Sequence, residues 1–189
     1  MVGYKDKNDL RYIPPIPIEL STKVLGILEE GMNIPGSRLI DKIQCAYSAI
    51  DVFNEFVSTF TVCGKGCSAC CNYDVQVSRL EAEYIAVNCE LNIDTGDVSS
   101  VNVRKPCTFL GKDGICAVYE FRPLNCRTFH TIDDPKYCAT PLVRHQIYGS
   151  ASSNYGNDIY KQIADWIREV NRSMNLPYRD IRDWFVDAS

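Results

Sequence analysis

The sequence predicts a mostly helical α+β fold, a single domain in which several amphipathic helices surround a small β-hairpin and a cysteine-rich metal site between loops. Three observations lead to this prediction. Apolar residues recur at helical spacing, two short apolar segments flank a glycine-containing loop, and eight of the ten cysteines lie in two groups over residues 63–71 and 107–138. A chain of 189 residues is long enough for one domain with an ordinary hydrophobic core.

Residues 1–36 are predicted to be an irregular N-terminal segment with one short helix, which begins near Ser21 and ends near Gly31. The proline-rich stretch Ile13-Pro-Pro-Ile-Pro17 cannot be helical, and we expect it to pack along the outside of its own domain. The alternative is that it binds a partner protein. Residues 37–189 are predicted to be a single cysteine-cluster domain, with its core motif over about residues 60–140.

The clearest predicted helix follows Pro35-Gly36, begins near Ser37 as a helix cap, and leads directly to Cys63. Its apolar residues are spaced alternately by four and three, which places them on one face. They are Leu39, Ile43, Ala46, Ile50, Phe53, Val57 and Phe60. Cys45 lies beside this stripe and is interpreted as a small core residue rather than a metal ligand.

A second helix is predicted over about residues 79–90, because Ser78-Arg-Leu-Glu81 has the spacing of a capping box. Cys89 would lie on its inner face and is again interpreted as a core residue. Further along the chain, start and stop signals predict a short helix over residues 142–148. A long helix is indicated by Ile159, Ile163, Trp166, Val170 and Met174, and a last short helix by Ile181, Trp184 and Phe185.

A β-hairpin is predicted where residues 107–110 and 115–119 flank the loop Gly111-Lys-Asp-Gly114. Each of its two short strands contains one cysteine. After the hairpin, Pro123 is suited to open a helical turn that presents Cys126.

Eight cysteines are the candidate metal ligands. Four lie almost together in Cys63-Gly-Lys-Gly-Cys67-Ser-Ala-Cys70-Cys71, and the others are Cys107, Cys116, Cys126 and Cys138. Thiolates gathered this densely repel one another unless a cation or a disulfide neutralises them, so the pattern indicates Zn²⁺ or an iron–sulfur cluster such as a four-iron cluster. The count fits two zinc sites or one cluster with spare thiols, and it does not choose between them.

Cys71 is not expected to duplicate Cys70, since the side chains of adjacent residues tend to diverge. It would serve a second metal, bridge two metals or remain a reactive thiol. His130 follows Cys126 by four residues, and it is more often a solvated or hydrogen-bonded side chain than a ligand.

A centre bound by four thiolates carries a net negative charge and needs cations or hydrogen-bond donors beside its ligands. Arg122 and Arg127 bracket Cys126 and are predicted to supply them; the alternative is that either arginine is a surface charge or pairs with Glu120. Glu120 and its neighbour Tyr119 complete the set of residues predicted to lie next to the ligands.

Charge and hydropathy exclude several classes of function. The net charge is −4, and no basic face indicates nucleic-acid binding. The sequence lacks a secretory-type N-terminus and any run of about 18 apolar residues, so neither export nor membrane insertion is expected. A cytoplasmic location is therefore predicted, in which thiols stay reduced and metal binding is favoured over disulfides.

These cysteine motifs resemble the YkgJ-type cysteine-cluster family, a zinc- or iron-chelating domain. The matching pieces cover about residues 60–130: Cys63-x3-Cys67-x2-Cys70-Cys71, Ser78-x-x-Glu81, Cys107-Thr-Phe-Leu110, Cys116-Ala-Val-Tyr119-Glu120-Phe-Arg122-Pro123 and Cys126-Arg127-Thr-Phe129. The resemblance implies a metal or iron–sulfur centre on these cysteines. The cysteine-cluster family is also distantly similar to the cysteine domain of flagellin lysine N-methylase, which uses S-adenosylmethionine.

The leading hypothesis is a cytoplasmic metal-binding protein that holds an iron–sulfur cluster or zinc, with the reaction unknown. The alternative is a metal-dependent protein-modifying enzyme of the lysine N-methylase type, or a thiol redox protein that uses Cys70, Cys71 or Cys138. A third hypothesis is an interaction module with Pro14–Pro17 and Trp184-Phe185 as partner surfaces.

Overall fold

A computed structural model of the protein describes residues 13–96, 105–132, 134–140, 146–149 and 155–185. The fold is α+β and mostly helical, which confirms the prediction. The helices are α1 (Ile18–Met32), α2 (Leu39–Val57), α3 (Arg79–Cys89), α4 (Leu124–Arg127), α5 (Lys136–Ala139), α6 (Asp158–Ser173) and α7 (Ile181–Trp184). The strands are β1 (Gln76–Ser78), β2 (His130–Thr131), β3 (Ile147–Gly149), β4 (Tyr155–Gly156) and β5 (Tyr178–Asp180).

The described residues divide into two compact units. Unit 1 falls within Met1–Gly64 and Arg127–Ala164, and unit 2 within Lys65–Cys126 and Asp165–Ser189. The assignment of residues 37–189 to one domain stays a prediction.

In unit 1, α2 buries the face that its spacing predicted. Its stripe is buried at Ile43, Ala46, Ile50, Phe53 and Val57, and continues to Phe60 beyond the end of the helix. The predicted cap is wrong by one residue. Arg38 is the N-cap, and its backbone N–H donates to the Asp41 carboxylate at 3.1 Å, whereas the Ser37 hydroxyl donates to the carbonyl of Ile34.

Helix α1 packs against α2 in unit 1. It begins at Ile18, three residues before the predicted start, because Pro17 ends the extended stretch and its carbonyl accepts the N–H of Ser21 at 3.0 Å. Gly31 allows the close approach of the two helices, since Cys45 lies directly against it. The Cys45 thiol donates to the carbonyl of Ile27 at 3.1 Å, in agreement with a packing role for this cysteine.

A three-stranded sheet completes the regular structure described in unit 1. Strand β3 lies between β2, to which it is antiparallel, and β4, to which it is parallel. The short helix predicted over residues 142–148 is therefore wrong at its C-terminal end, while residues 141–145 lie outside the described residues. Strand β3 depends on pairing with β2, a partner that local start and stop signals cannot reveal.

The long helix predicted from Ile159 is confirmed as α6, but its apolar stripe is only partly correct. Ile159 and Ile163 are buried, whereas Met174 lies beyond the last helical residue and is exposed.

Unit 2 is built around antiparallel strands β1 and β5, with Gln76 opposite Asp180. Its hydrophobic core joins residues from three parts of the sequence: Val77, Ala82, Ile85, Ala86, Phe109, Val118, Ile181, Trp184 and Phe185. The indole N–H of Trp184 donates to the carbonyl of Val77 at 3.0 Å. The last helix is confirmed, but Trp184 and Phe185 are each only 1% exposed, so the prediction that they form a partner surface is wrong.

The predicted hairpin is present in unit 2 only as a tight loop. Leu110 and Cys116 form a single antiparallel bridge, and the N–H of Gly111 donates to the carbonyl of Ile115 at 2.8 Å. Gly114 has φ +78°, a conformation that favours glycine. Residues 107–110 and 115–119 are not strands, because their cysteines and apolar side chains pack into the unit 2 core rather than pairing along a ladder.

None of the helices in the described residues combines the length and the hydrophobicity needed to cross a bilayer.

The close contact between α1 and α2 makes Gly31 sensitive to substitution. A Cβ at Gly31 would overlap Sγ of Cys45 and lie 2.7 Å from its Cβ. We expect G31A to lower the free energy of unfolding by about 1–3 kcal/mol through overpacking, measured by urea denaturation with circular dichroism. G26A in the same helix is the matched control, because a Cβ there meets nothing within 4 Å. G26A is expected to raise the free energy of unfolding by up to about 1 kcal/mol, and equal effects of the two variants would contradict tight packing.

Candidate metal centre

Unit 2 contains six of the eight candidate ligands, carried by four separate segments of the chain. They are Cys67, Cys70, Cys71, Cys107, Cys116 and Cys126. Cys67 is exposed and the other five are half-buried. Burial is the main cause that raises the pKa of Cys107, Cys116 and Cys126, and repulsion from neighbouring thiols adds to it.

Cys70 and Cys71 lie in a single 3₁₀ turn, Ala69–Asn72. Gly66, with φ +92°, reverses the chain ahead of this turn. The two thiols share a hydrogen bond, which lowers the pKa of Cys70 and raises the pKa of Cys71. That Cys71 has a different role from Cys70 stays a prediction.

The backbone joins the first cysteine group to Cys107. The N–H of Cys107 donates to the carbonyl of Cys71 at 2.8 Å, across 36 residues of sequence. Burial is the main cause that raises the pKa of Cys107 to about 11, and a hydrogen bond from the backbone N–H of Phe109 opposes it. This donor lies where it would stabilise a thiolate.

Cys116 has the same local arrangement as Cys107. Burial raises the pKa of the Cys116 thiol, while the backbone N–H of Val118, two residues further on, donates to its sulfur and lowers that pKa. Backbone N–H groups directed at cysteine sulfur favour the charged form, which is the form that binds metals.

Cys126 is positioned by Glu81, a buried carboxylate at the start of α3. One oxygen of Glu81 accepts the N–H and the hydroxyl of Ser78, at 2.9 and 2.7 Å, which confirms the predicted capping box. The other oxygen accepts the N–H of Leu124 at 2.9 Å, at the start of the turn that carries Cys126. The amide of Asn125 also donates to the carbonyl of Gln76 at 2.8 Å.

The role of Glu81 in holding α4 is the part that sequence reasoning missed. The Ser-x-x-Glu spacing indicates only a helix cap, because it is a local pattern. The contact with Leu124 spans 43 residues, and no signal in the sequence predicts it.

Arg122 supplies positive charge to the thiols of unit 2. Its Nε donates to the carbonyl of Tyr119 at 2.8 Å, and its guanidinium lies 3.7 Å from the centroid of the Tyr119 ring. The hydrogen bond with Cys71 is the main cause that lowers the pKa of Cys70, and the charge of Arg122 adds to it. Burial and neighbouring thiols raise the pKa of Cys116 and Cys126, and the charge of Arg122 acts against them. A guanidinium held in this way is suited to balance the negative charge of bound thiolates.

Arg127 and Glu120 have other partners in the structure. Arg127 belongs to unit 1, is 2% exposed and binds both carboxylate oxygens of Asp51, at 2.7 and 2.9 Å. The side chain of Glu120 is 71% exposed and lies 3.5 Å from Nζ of Lys65. That these two residues lie next to metal ligands stays a prediction.

Cys63, Cys138 and His130 belong to unit 1. The Cys63 sulfur accepts the backbone N–H of Thr131 at 3.1 Å, and Cys138 is buried on α5. Nε2 of His130 lies 2.9 Å from the carbonyl of Arg127.

The described residues, which include all ten cysteines, contain no group of three or more His, Cys, Asp or Glu side chains already close enough to hold a metal ion. The thiols of unit 2 therefore do not form a complete coordination shell in this arrangement.

A unit rich in neighbouring cysteines is typical of metal-chelating domains. Residues 62–147, just under half of the chain, match the model of the CxxCxxCC family, whose description is "Putative zinc- or iron-chelating domain". No curated protein and no solved structure matches the chain.

The double contact of Glu81 predicts a measurable difference between two capping variants. In E81Q an amide NH₂ replaces one carboxylate oxygen, so a buried donor of Ser78 or Leu124 loses its acceptor. We expect E81Q to lower the free energy of unfolding by up to about 3 kcal/mol, because one buried donor is left without an acceptor. S78A is the control and should cost about 1 kcal/mol, because only the helix cap is lost. Equal losses in urea denaturation would mean that the contact with Leu124 contributes no stability.

Proposed function

We propose that the thiols of unit 2 bind an iron–sulfur cluster or zinc as thiolates, and that metal binding is the function of this unit. The observation that carries the proposal is that separate cysteine segments are joined in unit 2: the N–H of Cys107 donates to the carbonyl of Cys71 at 2.8 Å, and Cys107 and Cys116 pack against the same core. The zinc- or iron-chelating description of the family supports it independently.

The proposed ligands are Cys107, Cys116 and Cys126, together with a fourth thiolate from the pair of Cys70 and Cys71. Each of the first three comes from a different stretch of the chain, and the hydrogen-bonded pair already favours one thiolate and one thiol. Four thiolates satisfy zinc or a four-iron cluster. The remaining candidates are Cys63, Cys67 and Cys138.

The donor set fits either group. Zinc would supply folding energy to the loops that carry the cysteines, and an iron–sulfur cluster would supply one-electron chemistry. This chain's own residues would do the rest: the N–H groups of Phe109 and Val118 would hold the sulfurs of Cys107 and Cys116, Arg122 would offset the charge of Cys116, and Arg182 would offset the charge of Cys107. The protein-modifying and thiol redox alternatives stay predictions from the sequence, as does the similarity to lysine N-methylase.

Metal and sulfide analysis of protein purified without oxygen tests the proposal directly. We expect either stoichiometric iron with acid-labile sulfide and a brown visible spectrum, or stoichiometric zinc in colourless protein. Protein that is folded by circular dichroism and contains neither metal would contradict the proposal.

Single cysteine substitutions are expected to separate ligands from packing cysteines. C107S, C116S and C126S should lose most of the bound metal, because each removes one thiolate from the proposed set. C45S is the matched control in unit 1, and C89S is the more demanding control, because Cys89 packs against the core of unit 2 beside Cys116. Metal content measured by atomic emission should be unchanged in both controls, and an equal loss in all five variants would show that folding rather than ligation is being measured.

Removal of the metal is expected to loosen the loops of unit 2. Lys65 lies between two candidate ligands, and Lys112 lies in the loop between Cys107 and Cys116. After chelation, trypsin should cut at both residues faster, because the loops lose the energy that metal binding contributes. Cleavage at Lys42, within α2 of unit 1, is the internal control and should keep its rate. Unchanged cleavage at Lys65 and Lys112 would mean that the metal does not order these loops.

A further inference from the structure

Arg182 is a buried arginine in α7, outside the residues that match the CxxCxxCC family. It is 8% exposed. A buried guanidinium is unfavourable unless its charge is paired and its N–H groups are satisfied. Its surroundings therefore show what it holds in place.

The guanidinium contacts three segments of unit 2. Nη2 donates to the carboxylate of Asp74 at 2.5 Å, and Nη1 donates to the carbonyl of Lys105 at 2.7 Å. Nε and Nη2 donate to the two carboxylate oxygens of Asp180, at 2.6 and 2.9 Å. The five N–H donors of arginine form a rigid fork, so these contacts fix the relative positions of the three segments.

Two of these segments lead directly to candidate ligands. Asp74 follows Cys71 by three residues, and Lys105 precedes Cys107 by two. The N–H of Cys107 in turn donates to the carbonyl of Cys71 at 2.8 Å. Two separate links therefore connect these loops. The backbone hydrogen bond joins them at the cysteines, and Arg182 joins them at Asp74 and Lys105.

Asp180 attaches the arginine to the rest of unit 2. Its carboxylate accepts the N–H of Val75 at 2.8 Å, and the N–H of Ile181 donates to the carbonyl of Val75 at 3.0 Å. The pairing of β1 with β5 continues this attachment along residues 76–78 and 178–180. The guanidinium is thus attached through Asp180 to strand β5, which pairs with β1.

We propose that Arg182 is a positioning residue for the metal centre, which holds the loops of Cys71 and Cys107 at the separation that metal binding requires. The inference rests on the proposed function and extends it to residues 178–185, which the family match does not include. A purely structural ion pair would affect the stability of the whole unit, whereas a positioning residue also controls how firmly the metal is held.

The test compares metal release from intact, metal-loaded protein in R182K, D74A and W184F. R182K keeps the charge but cannot make the forked contacts to three segments. D74A removes one partner of the Arg182 guanidinium. Because Asp74 is partly exposed, this variant keeps the test decisive if R182K fails to fold. W184F is the matched control on the same helix, since it removes the hydrogen bond to Val77 and leaves every partner of the Arg182 guanidinium in place.

Release is measured as transfer of zinc to 4-(2-pyridylazo)resorcinol or of iron to bathophenanthroline, beside urea denaturation of the same samples. We expect release about 10-fold faster or more in R182K and D74A, because residues that orient metal ligands contribute this much to metal affinity. W184F should unfold at lower urea while it releases metal at the wild-type rate. Release in R182K and D74A no faster than in W184F would overturn the inference, whereas wild-type protein without metal would overturn the proposed function itself.

Discussion

Several thiols held close together and partly out of water determine how unit 2 is arranged. Thiolates in such a site repel one another and lose hydration, so burial and neighbouring thiols raise the pKa of Cys107, Cys116 and Cys126. Two compensations act against this cost. The charge of Arg122 reaches several of the thiols, and backbone N–H groups point at the sulfurs of Cys107 and Cys116. A bound cation or cluster would supply the largest compensation.

The cysteine segments are held in place by two buried charged side chains that lie elsewhere in the chain. Glu81 joins the start of α3 to the turn that carries Cys126, and Arg182 joins the loops that follow Cys71 and precede Cys107. The Glu81 carboxylate accepts three hydrogen bonds from Ser78 and Leu124, and the Arg182 guanidinium donates four to Asp74, Lys105 and Asp180. Charged groups of this kind are costly to bury alone, and here each is satisfied by several partners.

Local patterns in the sequence were sufficient for much of the helical structure. The alternating spacing predicted the buried face of α2, the capping box predicted the start of α3, and Pro123 predicted the turn of α4. The errors fall where pairing is non-local. Residues 147–149 form a strand because β2 lies beside them, and the hairpin at residues 107–119 is reduced to one bridge because its side chains pack into a core completed by α7.

The sequence by itself determined the chemistry of this protein, because residue identity decides which atoms are donors: a set of thiols, a nearby arginine and a helix cap can all be recognised from type and spacing. Only the tertiary structure decided which of these groups meet. It brought Cys70 and Cys71 together in one turn, directed Arg122 at the thiols while Arg127 binds Asp51, and placed Arg182 against two cysteine loops. These contacts join residues up to 108 positions apart, and such distances leave no periodic or local signal in a sequence.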